Sequence, residues 1–264
     1  MTRFFYLLLI AIVFSSCSEF QSALKSDDIK VKYDVAEKLY EKGKYEKAIR
    51  LFEQIAPSYR GKPQAQKMFY MYAQSFYKTK QYYSAGYQFE SFTASYPTSD
   101  KLEEASFLGA KSFYMLSPAY SLDQTDTNKA VDKLQNFIDT YPNSQLMPEA
   151  NLLVKELREK LEKKAFEIAK QYNTVMEYKA AIVALDNFMI DYPGTYLKED
   201  AMFYKYDSSY QLAMNSIPQL MQERLVAAKA NYNALVKYKA DTKYKEQADE
   251  MHAKLDTELQ KYSK

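Results

Sequence analysis

The sequence predicts an all-α chain, wound as a superhelix of repeated helix pairs, and three observations carry that prediction. The first is a recurring phrase, an alanine followed eleven residues later by a tyrosine that usually precedes proline. It reads Ala85 to Tyr96-Pro97, Ala130 to Tyr141-Pro142 and Ala181 to Tyr192-Pro193, with Ala48 to Tyr59 and a degraded Ala227 to Tyr238 lacking the proline. The second is apolar spacing between those anchors: Phe52 and Ile55, Phe89 and Phe92, Leu134 and Phe137, Leu185 and Phe188 each mark one helical face. The third is composition. Only 5 glycines and no tryptophan occur among 264 residues, against 26 tyrosines, which suits a helical chain. Proline after the tyrosine ends each helix, because it lacks the amide donor and pushes its predecessor out of the helical region. Repetition at this period signals a solenoid.

In chain order, Arg3 precedes an unbroken apolar run from Phe4 to Phe14, then Ser15, Ser16 and Cys17. The run is too short to span a bilayer and reads as a signal peptide, residues 1–16. Small residues directly before a cysteine resemble a bacterial lipobox. That likeness implies cleavage before Cys17 and diacylglyceration of its thiol. Cys17 is the only cysteine, so no internal disulfide forms. Residues 17–28 then read as a polar, lipidated tether.

The first repeat spans about Ile29 to Tyr59, with Gly43 closing its first helix. Ala36 lies twelve residues before Ala48, Ala73 twelve before Ala85 and Ala169 twelve before Ala181. One small residue per helix lets paired helices approach closely, and this is the tetratricopeptide pattern. In the third repeat Ala110 lies twenty before Ala130, so eight residues are inserted around Ser117 to Asp126. The fifth has the same gap from Asp207 to Ala227, with Pro218 inside it. Between repeats three and four runs a long helix starting near Pro148, with Leu153, Leu157, Leu161, Ala165, Ile168, Ala169 and Tyr172 as its stripe. At 1.5 Å per residue it is about 37 Å long. It joins an amino-terminal half, residues 29–147, to a carboxy-terminal half, residues 148–264. A cap helix from Asp241 to Tyr262 shows Tyr244, Ala248, Met251, Leu255 and Leu259 on one face.

Charge is balanced, 36 basic against 34 acidic residues, which argues against nucleic acid as a partner. The single histidine, His252, falls on the polar flank of the cap helix and reads as solvated. There is no phosphate loop and no nucleophile with a base histidine, so no enzyme, cofactor or metal is expected. A binding groove is. Counted from the small residue, positions three before and four after face the concave side. These are Tyr33 and Tyr40, Tyr70 and Tyr77, Phe107 and Tyr114, with Lys67 and Lys111 as nearby cations. Repeats four and five supply Phe166 with Asn173 and Tyr204 with Gln211, so the stripe thins. Rings bearing hydroxyls offer apolar contact and a polar handle; the plain alternative is packing between repeats.

Three stretches carry a closer likeness: Gly43-Lys44-Tyr45-Glu46-Lys47-Ala48, Tyr141-Pro142-Asn143-Ser144, and Glu177-Tyr178-Lys179-Ala180-Ala181-Ile182 with Asp191-Tyr192-Pro193-Gly194-Thr195. Together with the lipobox, five repeats, inserted third repeat, long helix and total length, the chain resembles the BamD family. That resemblance implies a lipoprotein on the periplasmic side of the outer membrane, in the machine that folds β-barrel proteins. It implies that the amino-terminal repeats receive unfolded barrel precursors, which carry an aromatic-ended targeting segment. It further implies that the carboxy-terminal repeats dock the periplasmic domains of the central barrel subunit, with other assembly lipoproteins as further partners. Two other classes use such repeats: glycan-capturing importer lipoproteins, usually twice as long and tryptophan-bearing, and cell-envelope adaptors, which usually begin with a coiled coil.

Overall fold

The computed structural model describes residues 19–262; the apolar leader and Cys17, with the cleavage and lipidation expected there, lie outside the described residues. The described chain is all helix and turn. In order come α1 (residues 19–25), α2 (Ile29–Glu41), α3 (Tyr45–Tyr59), α4 (Ala65–Lys78), α5 (Tyr82–Ser95), α6 (Leu102–Leu116) and α7 (Thr125–Thr140). Then follow α8 (Met147–Thr174), α9 (Tyr178–Asp191), α10 (Lys198–Met214), α11 (Pro218–Tyr238) and α12 (Lys245–Gln260). These are tetratricopeptide-type helix pairs. No described helix is long and apolar enough to cross a membrane.

The anchoring alanines do what the pattern requires. Ala36, Ala48, Ala73, Ala85, Ala130 and Ala181 are fully buried, and Ala110 and Ala169 nearly so. Turns repeat as faithfully as helices. Gly43, Lys80 and Met176 all take positive φ, at 70°, 60° and 64°. Each follows a first helix and closes it with the same amide pair: Gly43 N to Tyr40 O and Lys44 N to Leu39 O, at 2.9 and 2.8 Å, recur as Lys80 to Tyr77 and Gln81 to Phe76. This is the left-handed helix stop that favours glycine, used twice here with a side chain. At the other end, Tyr96, Tyr141 and Tyr192 cap α5, α7 and α9 with nearly one geometry, φ −130°, −123° and −125°.

Three residues beyond each of these tyrosines a hydroxyl starts the next helix. Ser99, Ser144 and Thr195 accept from the amides of Lys101, Leu146 and Leu197 at 3.0–3.1 Å. Two of these hydroxyls tie back to the preceding first helix, where Gln66 donates to Ser99 at 2.7 Å and Ser144 donates to Glu103 at 2.5 Å. In the fifth repeat Glu199 takes this role, accepting from Thr242 Oγ1, the Lys243 amide and Lys239 Nζ at 2.7–2.8 Å. These donors hold its carboxyl down at about 2, Lys239 contributing most.

The chain forms two compact units that divide inside α8, between Arg158 and Glu159, ten residues beyond the Pro148 boundary read from the sequence. The reason is packing. Leu153, Val154 and Leu157 of α8 join the core of Phe107, Phe113, Leu134 and Phe137. In unit 1 the first helices α2, α4 and α6 lie side by side, with α3, α5 and α7 behind them. The insertion is an ordered loop. Buried Gln124 donates to Ala119 O and Leu122 O at 2.9 Å and accepts from Thr127 at 2.8 Å.

Four expectations need correction. Within the stretch read as a tether, residues 19–25 are not free, because α1 docks on the first repeat. Phe20 and Ala23 are buried, Lys47 and Arg50 lie over the Phe20 ring, and Glu19 pairs with Lys38 at 2.7 Å. In α8, Ile168 and Tyr172 are 54% and 41% exposed, because Phe166 and Ala169 occupy the buried face instead. In α11 the buried small residue is Ala228; Ala227 is exposed, since Leu225, Ala228 and Leu235 set the stripe. His252 is not solvated. Its ring stacks on Tyr232 at 3.8 Å and its Nε2 lies 3.4 Å from Asp256.

Candidate functional site

The sequence-derived groove residues all lie in unit 1, on α2, α4 and α6, but they divide into two sets. Tyr33, Tyr70 and Phe107, the residues three before each alanine, are core rings, and of the three only Tyr70 also shows an edge to a cavity. Tyr33 stacks on Tyr59 at 5.1 Å, Tyr70 lies 5.5 Å from Phe92, and Phe107 lies 5.3 Å from Phe137. They sit at the edge of the helical stripe and reach back into the crevice against the second helix of their own pair. Burial, then the neighbouring Glu37 carboxylate, pushes the Tyr33 hydroxyl up to about 12. Burial likewise raises Tyr70, helped by Glu104.

Tyr40, Tyr77 and Tyr114, four residues after each alanine, are half-buried and each reaches the next first helix. Tyr40 donates to Gln74 Oε1 at 2.5 Å, and Gln74 Nε2 donates to Tyr70 OH at 2.7 Å. Tyr77 meets Lys111, whose ammonium pairs with Glu149 at 2.5 Å. Tyr114 donates to Glu156 at 2.5 Å. That hydrogen bond, with burial second, lifts the Tyr114 hydroxyl to about 12. Lys67 pairs with Glu37 of α2. The concave row is therefore a stitched seam whose lysines already hold carboxylates, and it is not a free positive strip.

The residues sequence reasoning missed are the partners Glu37, Gln74, Glu149 and Glu156. Glu37 and Gln74, like the sequence-derived Lys111, directly follow the small alanine of their repeat. Positions three before, one after and four after the alanine share one helical face, so a polar residue at the middle place was the available signal. In unit 2 Asn173 makes the corresponding contact, donating to Asp207 at 2.7 Å and to Ser208 at 2.9 Å.

One part of the row opens. A cavity of about 400 Å³ lies between α2, α4 and the start of α6, with Tyr40, Tyr70 and Met71 as apolar wall and Glu41, Gln66, Lys67, Asp100 and Lys101 at its polar edge. Lys101 stands 5.7 Å over the Tyr70 ring and bonds Glu104 at 3.1 Å. Three sequence-derived residues, Tyr40, Tyr70 and Lys67, meet there. Tyr77, Tyr114 and Lys111 continue the seam outside it, and Tyr33 and Phe107 stay in the core.

Solved structures with similar helix pairs include a Podosopora anserina kinesin light chain with nearly identical TPR-like repeats. It is 14% identical, covers 81% of this chain and 99% of its own, and gives a TM-score of 0.32. A computationally designed self-assembling cyclic homooligomer is 13% identical over 99% of this chain and 96% of its own, at a TM-score of 0.21. No curated protein matches. The family model YfiO, described as outer membrane lipoprotein, matches residues 25–225 of the 264. That match spans the alanine-to-tyrosine phrases of the first four repeats and the long α8 between them, and the chain belongs to the YfiO family of outer membrane lipoproteins.

Proposed function

We propose that the chain is a non-enzymatic subunit of the β-barrel assembly machinery, held at the periplasmic face of the outer membrane by lipid on Cys17. Unit 1 receives unfolded barrel precursors, and the repeats after Pro148 dock the periplasmic domains of the central barrel subunit. The observation that carries the precursor role is the cavity at Tyr40, Tyr70, Met71, Lys67 and Lys101. A precursor's targeting segment is extended before it pairs, and it offers rings and a terminal carboxylate. The cavity offers an aromatic and methionine wall beside two exposed ammonium groups, with the carboxylates of Glu41 and Asp100 at the same edge. Because Lys67 and Lys101 are both paired, an incoming carboxylate exchanges with Glu37 or Glu104, which keeps binding reversible. That suits a protein which hands its client onward. Family membership supports the membrane and the lipoprotein class. The experiment is affinity capture of the tagged chain from detergent-solubilised outer membranes. A barrel-insertion subunit should co-purify; recovery of a nutrient importer or a cell-wall synthase in its place rejects the reading.

A further inference from the structure

A second cavity, of about 440 Å³, opens elsewhere on unit 1, where Phe69 of α4 meets Ser91, Phe92, Ser95 and Tyr96 of α5 beneath Arg60. Phe69 and Tyr70 are consecutive, so they point about 100° apart around α4 and serve different sides of it. The floor is aromatic: Phe92 and Tyr96 are 5.3 Å apart, Phe69 and Tyr96 6.2 Å. The rim is polar and positive. Ser91 and Ser95 stand one turn apart with exposed side chains, and no acidic residue lines the cavity. Beside Arg60, Gly61 holds φ +80° with open space where a side chain would be.

The charge state separates this place from the concave row. Lys67, Lys101 and Lys111 each hold a carboxylate, whereas among the described residues Arg60 has none. A guanidinium is a planar fork matched to carboxylate, and a free one above an aromatic floor is complementary to an anion carried on an apolar body. The volume fixes the scale of that body. It lies low in the range of ligand pockets, about 300–1,000 Å³, and holds one or two side chains. The paired acyl chains of a lipid would leave most of their apolar surface in water. We propose that the Arg60 cavity is a second ligand site, taking a partner polypeptide in which a carboxylate side chain stands next to an aromatic residue. Arg60 takes the carboxylate, the serines its remaining lone pairs, and Phe69 with Tyr96 the ring. The inference is independent of the concave cavity.

The test is fluorescence anisotropy of the full soluble chain against an amino-labelled, carboxy-amidated octapeptide of glycine and serine around one glutamate–phenylalanine pair. Saturable binding is expected. Replacing the peptide's glutamate by glutamine should weaken it about tenfold, the scale of one charge-assisted hydrogen bond. Arg60→Gln should weaken the glutamate peptide as much and abolish the difference between the two peptides, while Lys101→Gln changes nothing. Should Arg60→Gln misfold by circular dichroism, Ser95→Glu reads the same contact by setting a carboxylate beside the guanidinium. The proposal is overturned if the two peptides bind wild type equally, if no saturable binding occurs, or if Lys101→Gln rather than Arg60→Gln removes it. It is equally overturned if Arg60→Gln leaves peptide binding intact and instead releases the chain from phosphatidylglycerol vesicles.

Discussion

Replacing Tyr70 by alanine separates core from groove in a single measurement. Its ring is 9% exposed and packs on Phe92 and Phe89 at 5.5 and 6.3 Å. Truncating a buried aromatic residue to alanine costs about 3–5 kcal/mol through lost transfer energy and the cavity left behind. The lost hydroxyl adds little, because Gln74 keeps its bond from Tyr40. With a urea slope of roughly 1–3 kcal/mol/M, the unfolding midpoint should fall by at least about 1 M. Tyr70→Phe keeps the ring and removes only the hydroxyl's bonds, so about 1 kcal/mol is expected. The assay is urea unfolding followed by far-ultraviolet circular dichroism. Tyr70→Ala unfolding within about 1 kcal/mol of wild type would refute the core assignment. The practical consequence is that lost peptide binding in a Tyr70 truncation reports on folding; Tyr40 and Lys101 are the residues to vary.

Three further outcomes follow from local geometry. Phe20→Ala should undock α1, so amides in residues 19–25 exchange faster in hydrogen-exchange mass spectrometry while α4 to α7 stay protected; unchanged protection means the Phe20 contact is not what holds α1. Lys80→Gly should stabilise unit 1 by up to about 1 kcal/mol, because a left-handed site is relieved at the end of α4, and a lower melting temperature would contradict that. Glu199 is depressed to about 2 in the fold, so its contribution is complete above the ordinary value of 4.5 and is lost as pH falls from there toward 2. Glu199→Gln should flatten that stretch of the melting-temperature profile; an unaltered slope removes Glu199 as its source.

Much of this fold is legible because tetratricopeptide packing demands a small residue where helices touch, and alanine spells that demand directly. Ala48, Ala85, Ala130 and Ala181 are all fully buried, and the tyrosines eleven residues on end three of the four helices or close the fourth. Helix α1 was missed because seven residues with one phenylalanine and one buried alanine carry too little periodicity to register. In the fifth repeat the eleven-residue spacing to Tyr238 selects Ala227, whereas packing in the fold buries its neighbour Ala228. The site was legible as a row and not as a surface. Spacing puts Tyr33 and Tyr40 on one face, yet the helix–helix crevice takes the first and leaves the second at the rim. Carboxylates that neutralise Lys67 and Lys111 come from α2 and α8, thirty and thirty-eight residues away, beyond any local pattern.

The central claim, that the cavity at Tyr40 and Lys101 receives barrel precursors, is tested most directly by titrating a labelled carboxy-terminal barrel peptide against wild type and a Tyr40→Ala, Lys101→Gln double variant. Wild type should bind saturably and reversibly. The double variant, folded by circular dichroism, should bind about tenfold more weakly or worse, the loss of one aromatic contact and one charge-assisted bond. Equal affinity in the two proteins would contradict the claim and leave the concave row as a seam between repeats.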